Sequence, residues 1–197
     1  MRPAPAGAAP PGDGPAPVDA GRWVVAGTPT VWPACARFHL VGSGRMDERD
    51  RRLSHEELAV AELLAAGGHL VRSLPESRRS GRRADLEVCG VPVEVKSFVP
   101  VAERGRAPSA RSVYNKLVDA SGQAATVVLW GPGSGLTAAT VRAGLDRLAA
   151  AGRAPLLSSV RAVGDGFDLS WTRRAALGVG VGSGHRRPDR GTPGLGL

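Results

Sequence analysis

Aromatic side chains are scarce in this chain: four Trp, three Phe and one Tyr in 197 residues. A platform on which single-stranded RNA bases could stack is therefore not evident. Cysteine is scarcer still, with only Cys35 and Cys89. Two cysteines do not suggest a disulfide-stapled scaffold, and Cys89 reads as a small filler rather than a reactive thiol. No run approaches 18 apolar residues, so no membrane-spanning helix is expected. The N-terminus carries Arg2 followed by Pro, Ala and Gly without an apolar core segment. It does not read as a secretory signal, and a cytoplasmic location is expected. Lysine is almost missing, with two against 24 arginines. Beside abundant Ala, Gly and Pro, that imbalance looks like a GC-rich coding bias. The net charge of +8 therefore supports a polyanionic partner without establishing one.

What is present divides into three parts. Residues 1–52 read as a mostly disordered Pro/Ala/Gly-rich extension. Within it, 21–45 could form a short ribbon or pack as an arm, and Asp47 to Arg52 is a charge run read as a solvated lead-in. Residues 53–174 read as the domain, and 175–197 as a disordered Gly/Arg-rich tail. Ser54 is a good helix N-cap, and Glu57 three residues on completes a capping box. The helix should run through Ala66 and stop at Gly67-Gly68. Short strands are expected at 69–72, 84–89, 91–98, 126–130, 157–163 and 167–171, with helices at 112–124 and 137–150. The order is αβββαβαββ, a mixed α/β sheet flanked by helices.

The segment from Asp85 to Lys96 carries the chemistry. Leu86 and Val88 alternate with Asp85 and Glu87, and Val91, Val93 and Val95 alternate with Pro92, Glu94 and Lys96. Both runs read as strands with one apolar and one polar face. Cys89-Gly90 is the natural two-residue turn between them. In that register 88 faces 91, 87 faces 92, 86 faces 93 and 85 faces 94. Asp85 and Glu94 would lie about 5 Å apart at Cβ, and Lys96 would share their face. At an effective dielectric of about 20, like charges at that distance repel by roughly 3 kcal/mol. A divalent cation reverses that repulsion, and oxygen ligands of this kind suit Mg²⁺ or Mn²⁺. Two plainer accounts compete: a solvated surface ribbon, or a simple Glu94–Lys96 ion pair.

Charge is uneven around this hairpin. Residues 53–71 carry three acids and no Lys or Arg, whereas 72–116 carry ten basic residues and five acids. Arg78, Arg79, Arg82, Arg83, Arg104 and Arg106 flank the acids and suit a nucleic-acid backbone.

The element order and the hairpin residues resemble the PD-(D/E)xK nuclease superfamily, with Asp85 matching its first acid and Glu94-Val95-Lys96 its E-x-K. More narrowly, 57–68, Asp85 with 93–97, and Ser121-Gly122-Gln123-Ala124 resemble the tRNA-nuclease toxin domain of contact-dependent growth-inhibition proteins. The resemblance covers about 53–172. It implies a restriction-endonuclease-like core and a metal-dependent endonuclease with Mg²⁺ or Mn²⁺ on Asp85 and Glu94. Lys96 would orient or deprotonate the attacking water, or stabilise the phosphorane. It also implies RNA, tRNA in particular, as substrate and a cognate immunity protein as partner. Glu57 matches a helix acid that supports the metal, and its capping-box role stays open beside that. Gln123 matches a glutamine that contacts nucleic acid, with a polar surface residue as the alternative. A DNA endonuclease and a catalytically silent nucleic-acid-binding module are the rival readings.

Overall fold

The computed structural model describes residues 23–27, 44–75 and 84–173. The expected N-terminal disorder before Trp23, Cys35, the arginines 78, 79, 82 and 83, residue 174 and the expected tail at 175–197 lie outside the described residues.

Eight strands form one mixed sheet: β1 (Trp23–Gly27), β2 (Arg45–Asp47), β3 (Leu70–Ser73), β4 (Leu86–Val88), β5 (Val91–Ser97), β6 (Thr126–Trp130), β7 (Ser159–Gly164) and β8 (Phe167–Arg173). Across the sheet the order is β1-β8-β7-β6-β5-β4-β3-β2. The helices are α1 (His55–Ala66), a single turn α2 (Val101–Arg104), α3 (Ala110–Ala120) and α4 (Ala138–Ala150). From α1 onward this is the expected αβββαβαββ order with two extra helical turns, α2 and a 3-10 turn at Ala154–Leu156. The sheet is wider than 53–174, because β1 pairs antiparallel with β8 and β2 pairs parallel with β3. Residues 23–27 thus take up the ribbon-or-arm alternative open for 21–45, whereas 44–52, read as part of a mostly disordered extension, carry β2. Trp23 explains the first case: its side chain is buried in the core beside Trp171, and one large aromatic anchors a strand that propensity alone would not specify.

Strand β6 is apolar on both faces, as a central parallel strand must be. Val127 and Leu129 enter a core with Val113 and Leu117 of α3 and Val141, Leu145 and Leu148 of α4. Val128 enters a second core on the other face, with Val60, Ala61 and Leu64 of α1 and Val93 and Val95 of β5. The two cores place α1 on one face and α3 and α4 on the other. Gly144 lets α3 and α4 meet closely, since a Cβ there would come within 2.4 Å of Val113.

The hairpin has the expected register: Leu86 pairs Val93, Glu87 pairs Pro92 and Val88 pairs Val91. Cys89 and Gly90 have φ of 50° and 82°, both left-handed, as a tight two-residue hairpin turn requires. Cys89 is a buried free thiol, packed in the α1-side core. Glu94, in the middle of the polar face of β5, is not solvated: it is buried like Val93 and Val95 on either side of it. The cause is position, because β5 sits fourth from the β2 edge with α3 over its polar face. That excludes the surface-ribbon account.

Candidate active site

Asp85 ends the loop that enters β4. Its main chain is fixed by Leu74, whose N–H donates to the Asp85 carbonyl at 3.1 Å. Its side chain reaches across to β5, where Oδ2 accepts the Val95 N–H at 3.0 Å. The regular ladder stops one pair earlier, at Leu86–Val93, so a side-chain bond replaces the backbone pairing expected between 85 and 94.

Glu94 is 2% exposed. Its Oε1 lies 2.7 Å from Lys96 Nζ, which also reaches Asp119 Oδ2 on α3 at 3.3 Å. The other oxygen, Oε2, is buried without a hydrogen-bond partner. Buried carboxylate oxygens are normally satisfied, and leaving one bare costs about 1–3 kcal/mol or more. Glu94 is therefore half-satisfied by the protein and open to a further cation or proton.

On the α1 side, Arg51 clamps Glu57 with two bonds, Nη1 to Oε2 at 2.7 Å and Nη2 to Oε1 at 2.9 Å. The same Nη2 reaches Asp85 Oδ1 at 3.3 Å. Glu57 Oε2 also accepts the Ser54 N–H at 2.8 Å, and the capping box is complete. Both oxygens of Glu57 are thus engaged by the protein, and the cap is the role its geometry displays.

These contacts set the ionisation of the cluster. Asp85 is pushed up to about 7, chiefly by burial, opposed by the Val95 N–H, and raised further by the charges of Glu94 and Glu57. Glu94 is raised by burial against the pull of Lys96 and of a hydrogen bond shared with the Asp85 carboxyl. Glu57 also suffers from burial, but Arg51 and the Ser54 N–H outweigh it and hold it down to about 2. Burial disfavours the Lys96 ammonium, yet the ion pairs with Glu94 and Asp119 raise its pKa overall. Lys96 is therefore a fixed cation at neutral pH. That favours charge stabilisation over water deprotonation among the roles open to it.

The donor set is small. Among the described residues, no three or more His, Cys, Asp or Glu side chains form a metal cage. Asp85 with the bare Glu94 oxygen makes a two-carboxylate site. Such a site fits Mg²⁺ or Mn²⁺, which take one or two protein carboxylates and leave the rest to water and phosphate oxygens.

The other sequence candidates are distributed unevenly. Arg104 and Arg106 line a cavity of about 220 Å³ with Arg111, Ser109, Ser112 and Asn115. Gln123 lies in the turn after α3, half-buried. Asp119, one helical turn earlier, makes the contact with Lys96 instead. Arg78, Arg79, Arg82 and Arg83 lie outside the described residues.

Sequence reasoning passed over Arg51 and Asp119. Arg51 belongs to the run read as a solvated lead-in, but its side chain is only 14% exposed. The nearest signal was the apolar Leu53 two residues on, which is itself buried. A larger cleft of about 770 Å³ lies over β2–β4, lined by Met46, Leu70, Arg45, Arg72, Asp47 and Glu87 among others. Arg49 and Arg72 there are already paired with Asp47 and Asp50. The carboxylate with an unpartnered buried oxygen lies instead at Glu94 of the hairpin.

No protein-family profile matches the chain, and no curated protein matches it. Among solved structures it is similar to a CdiA-CT/CdiI toxin and immunity complex from Burkholderia pseudomallei. The identity is 17% and the TM-score 0.45, over 66% of this chain and 98% of that one. At that score the likeness carries no argument about activity or partner. No helix among the described residues is long and apolar enough to cross a membrane.

Proposed function

We propose that this chain is a metal-dependent endonuclease that hydrolyses phosphodiester bonds, with Asp85 and Glu94 as metal ligands and Lys96 as the electrostatic catalyst. The observation that carries this reading is the bare Oε2 of buried Glu94, beside an Asp85 carboxyl that burial and neighbouring charge hold near 7. Two acids driven together in the interior are costly unless a cation joins them. Mg²⁺ or Mn²⁺ bound there would supply Lewis acidity at the scissile phosphate. Lys96 holds its positive charge beside the oxygens where negative charge develops, and Asp119 and Glu94 fix its direction. Glu57 and Arg51 position Asp85 from the α1 side.

RNA, with tRNA first, is the proposed substrate, and a cognate immunity protein the proposed partner. Both rest on the residue pattern at 57–68, 85–97 and 121–124. The test is incubation of purified protein with Mg²⁺ or Mn²⁺ and, separately, tRNA, plasmid and single-stranded DNA. Cleavage that needs the metal and disappears in Asp85→Asn and Lys96→Ala, with circular dichroism unchanged, is expected. Undiminished cleavage by those variants would overturn the assignment. Cleavage of plasmid alone would select the DNA enzyme, and binding without cleavage by the wild type would select the silent module.

A further inference from the structure

The chain has 24 arginines and two lysines, and the fold brings both lysines to one place. Lys96 stands on β5. Lys116 stands on α3, one turn before Asp119, which holds Lys96. Phe98, two residues past Lys96, is buried, and Lys116 Nζ lies 5.2 Å from its ring centre. That contact leaves the ammonium exposed to its charged neighbours rather than neutralised. Among the described residues Lys116 forms no ion pair. Its pKa is lowered, first by burial and then by the charges of Lys96 and Arg104, with Asp119 partly opposing them. A cation crowded by two others is a site with affinity for an anion.

The neighbourhood extends that positive field in one direction. Asn115, adjacent to Lys116 in the chain, lines the cavity of about 220 Å³ shared by Arg104, Arg106 and Arg111. Arg106 and Arg111 are exposed. From the acids, positive charge therefore runs through Lys96 and Lys116 to Arg111 in the first turn of α3 and to Arg104 and Arg106 just before that helix. Phosphates spaced along a strand match such a row. A compact ammonium also seats over a ring and meets a phosphate as a point charge, without the planar fork of the arginine that is otherwise this chain's default cation.

Building on the nuclease reading, we propose that Lys116 binds the phosphate adjoining the scissile one, and that the strand leaves the acids along α3 over Arg104, Arg106 and Arg111. The probe is a fluorescein-labelled single-stranded RNA oligonucleotide, with the DNA oligonucleotide of the same sequence alongside. Binding is read by anisotropy in EDTA across a salt series. Lys116→Met keeps the stem on Phe98 and removes the charge. It should weaken binding several-fold for all sequences alike and lower the salt slope by about 0.7, the value for one contact to a single strand. Lys116→Arg should retain the slope. In cleavage assays the loss should fall on KM rather than kcat. Arg106→Gln and Arg111→Gln, at exposed positions where folding is not at stake, should each lower the slope in the same way. An unchanged slope and affinity in Lys116→Met, or in both arginine variants, would overturn the path. A wild type that binds with this slope but cleaves nothing in Mg²⁺ would sink the nuclease reading and leave the path standing. A wild type that cleaves while these variants bind as it does would sink the path and leave the nuclease.

Discussion

Replacing Asp85 by Asn should help the fold, and should help it more as the pH rises. The carboxyl's folded pKa is about 7 against an ordinary value of 3.8. A raised carboxyl binds its proton more tightly in the folded state, so stability falls as pH climbs from 3.8 towards 7. Taken whole, a shift of about three units is about 4 kcal/mol. The side chain is 22% exposed and shares its charge with Glu94, so solvent screening roughly halves this to about 2 kcal/mol. About 1 kcal/mol of it falls between about pH 5 and pH 7. Glu57 has the opposite sign: lowered to about 2 from 4.5, it stabilises above 4.5 and loses that only on acidification towards 2, outside this window. Asn keeps an oxygen for the Val95 N–H. Urea unfolding followed by tryptophan fluorescence should give a variant-minus-wild-type difference that grows by about 1 kcal/mol from about pH 5 to pH 7. The difference cancels contributions from groups common to both proteins. Near pH 7, Mg²⁺ at about a hundred times its Kd should add about 2.7 kcal/mol to the wild type and far less to the variant. A difference that stays constant or shrinks with pH would refute the reasoning.

Lys96→Met should destabilise by about 3 kcal/mol because it leaves the Glu94 charge buried and unpaired; pairing it with Glu94→Gln should recover most of that loss in urea unfolding, while neither protein regains cleavage. Arg51→Met should cost about 2–3 kcal/mol by stranding Glu57 and Asp85, and NMR titration should show the Glu57 pKa moving up from about 2. Gly144→Ala should lower stability by about 1–3 kcal/mol through overpacking, since its Cβ would meet Val113 Cγ1 and Cβ at 2.4 and 2.7 Å. The melting temperature of that variant checks the α3–α4 contact independently of the acids.

The hairpin was legible because its information is local. A period of two and a Cys-Gly turn determine which residues pair, and Leu86–Val93 and Val88–Val91 follow. Burial of Glu94 was not legible, because it depends on α3 closing over β5 from more than ten residues away. The charge run shows the same limit within a few positions. Arg49 is 88% exposed and pairs with nearby Asp47, as a solvated run should. Arg51, two residues on, turns inward to Glu57 and to Asp85, 34 positions away. Nothing in the composition of Asp47–Arg52 distinguishes the two arginines; the acids that α1 and the entry to β4 bring to Arg51 do. Strand β1 was legible only as a ribbon or arm somewhere in 21–45, and β2 was missed, for a related reason. They are five and three residues long, and their partners β8 and β3 are remote in sequence, so pairing rather than propensity defines them.

The charges of the cluster explain why proton and metal should compete there. Glu57, Asp85, Glu94 and Asp119 bring four negative charges, and Arg51, Lys96 and Lys116 bring three positive ones. Each of the first two cations is already spread over two acids, and Lys116 is turned towards Phe98. The least-compensated oxygen is the bare side of Glu94, and its charge adds to the burial that chiefly pushes the neighbouring Asp85 up to about 7. A proton on Asp85 relieves both. A divalent ion does so too, and a phosphodiester arriving with the ion restores the balance by adding a negative charge. Acidification should therefore weaken metal binding before it disturbs the Glu57–Arg51 clamp, and substrate and metal should each tighten the other's binding.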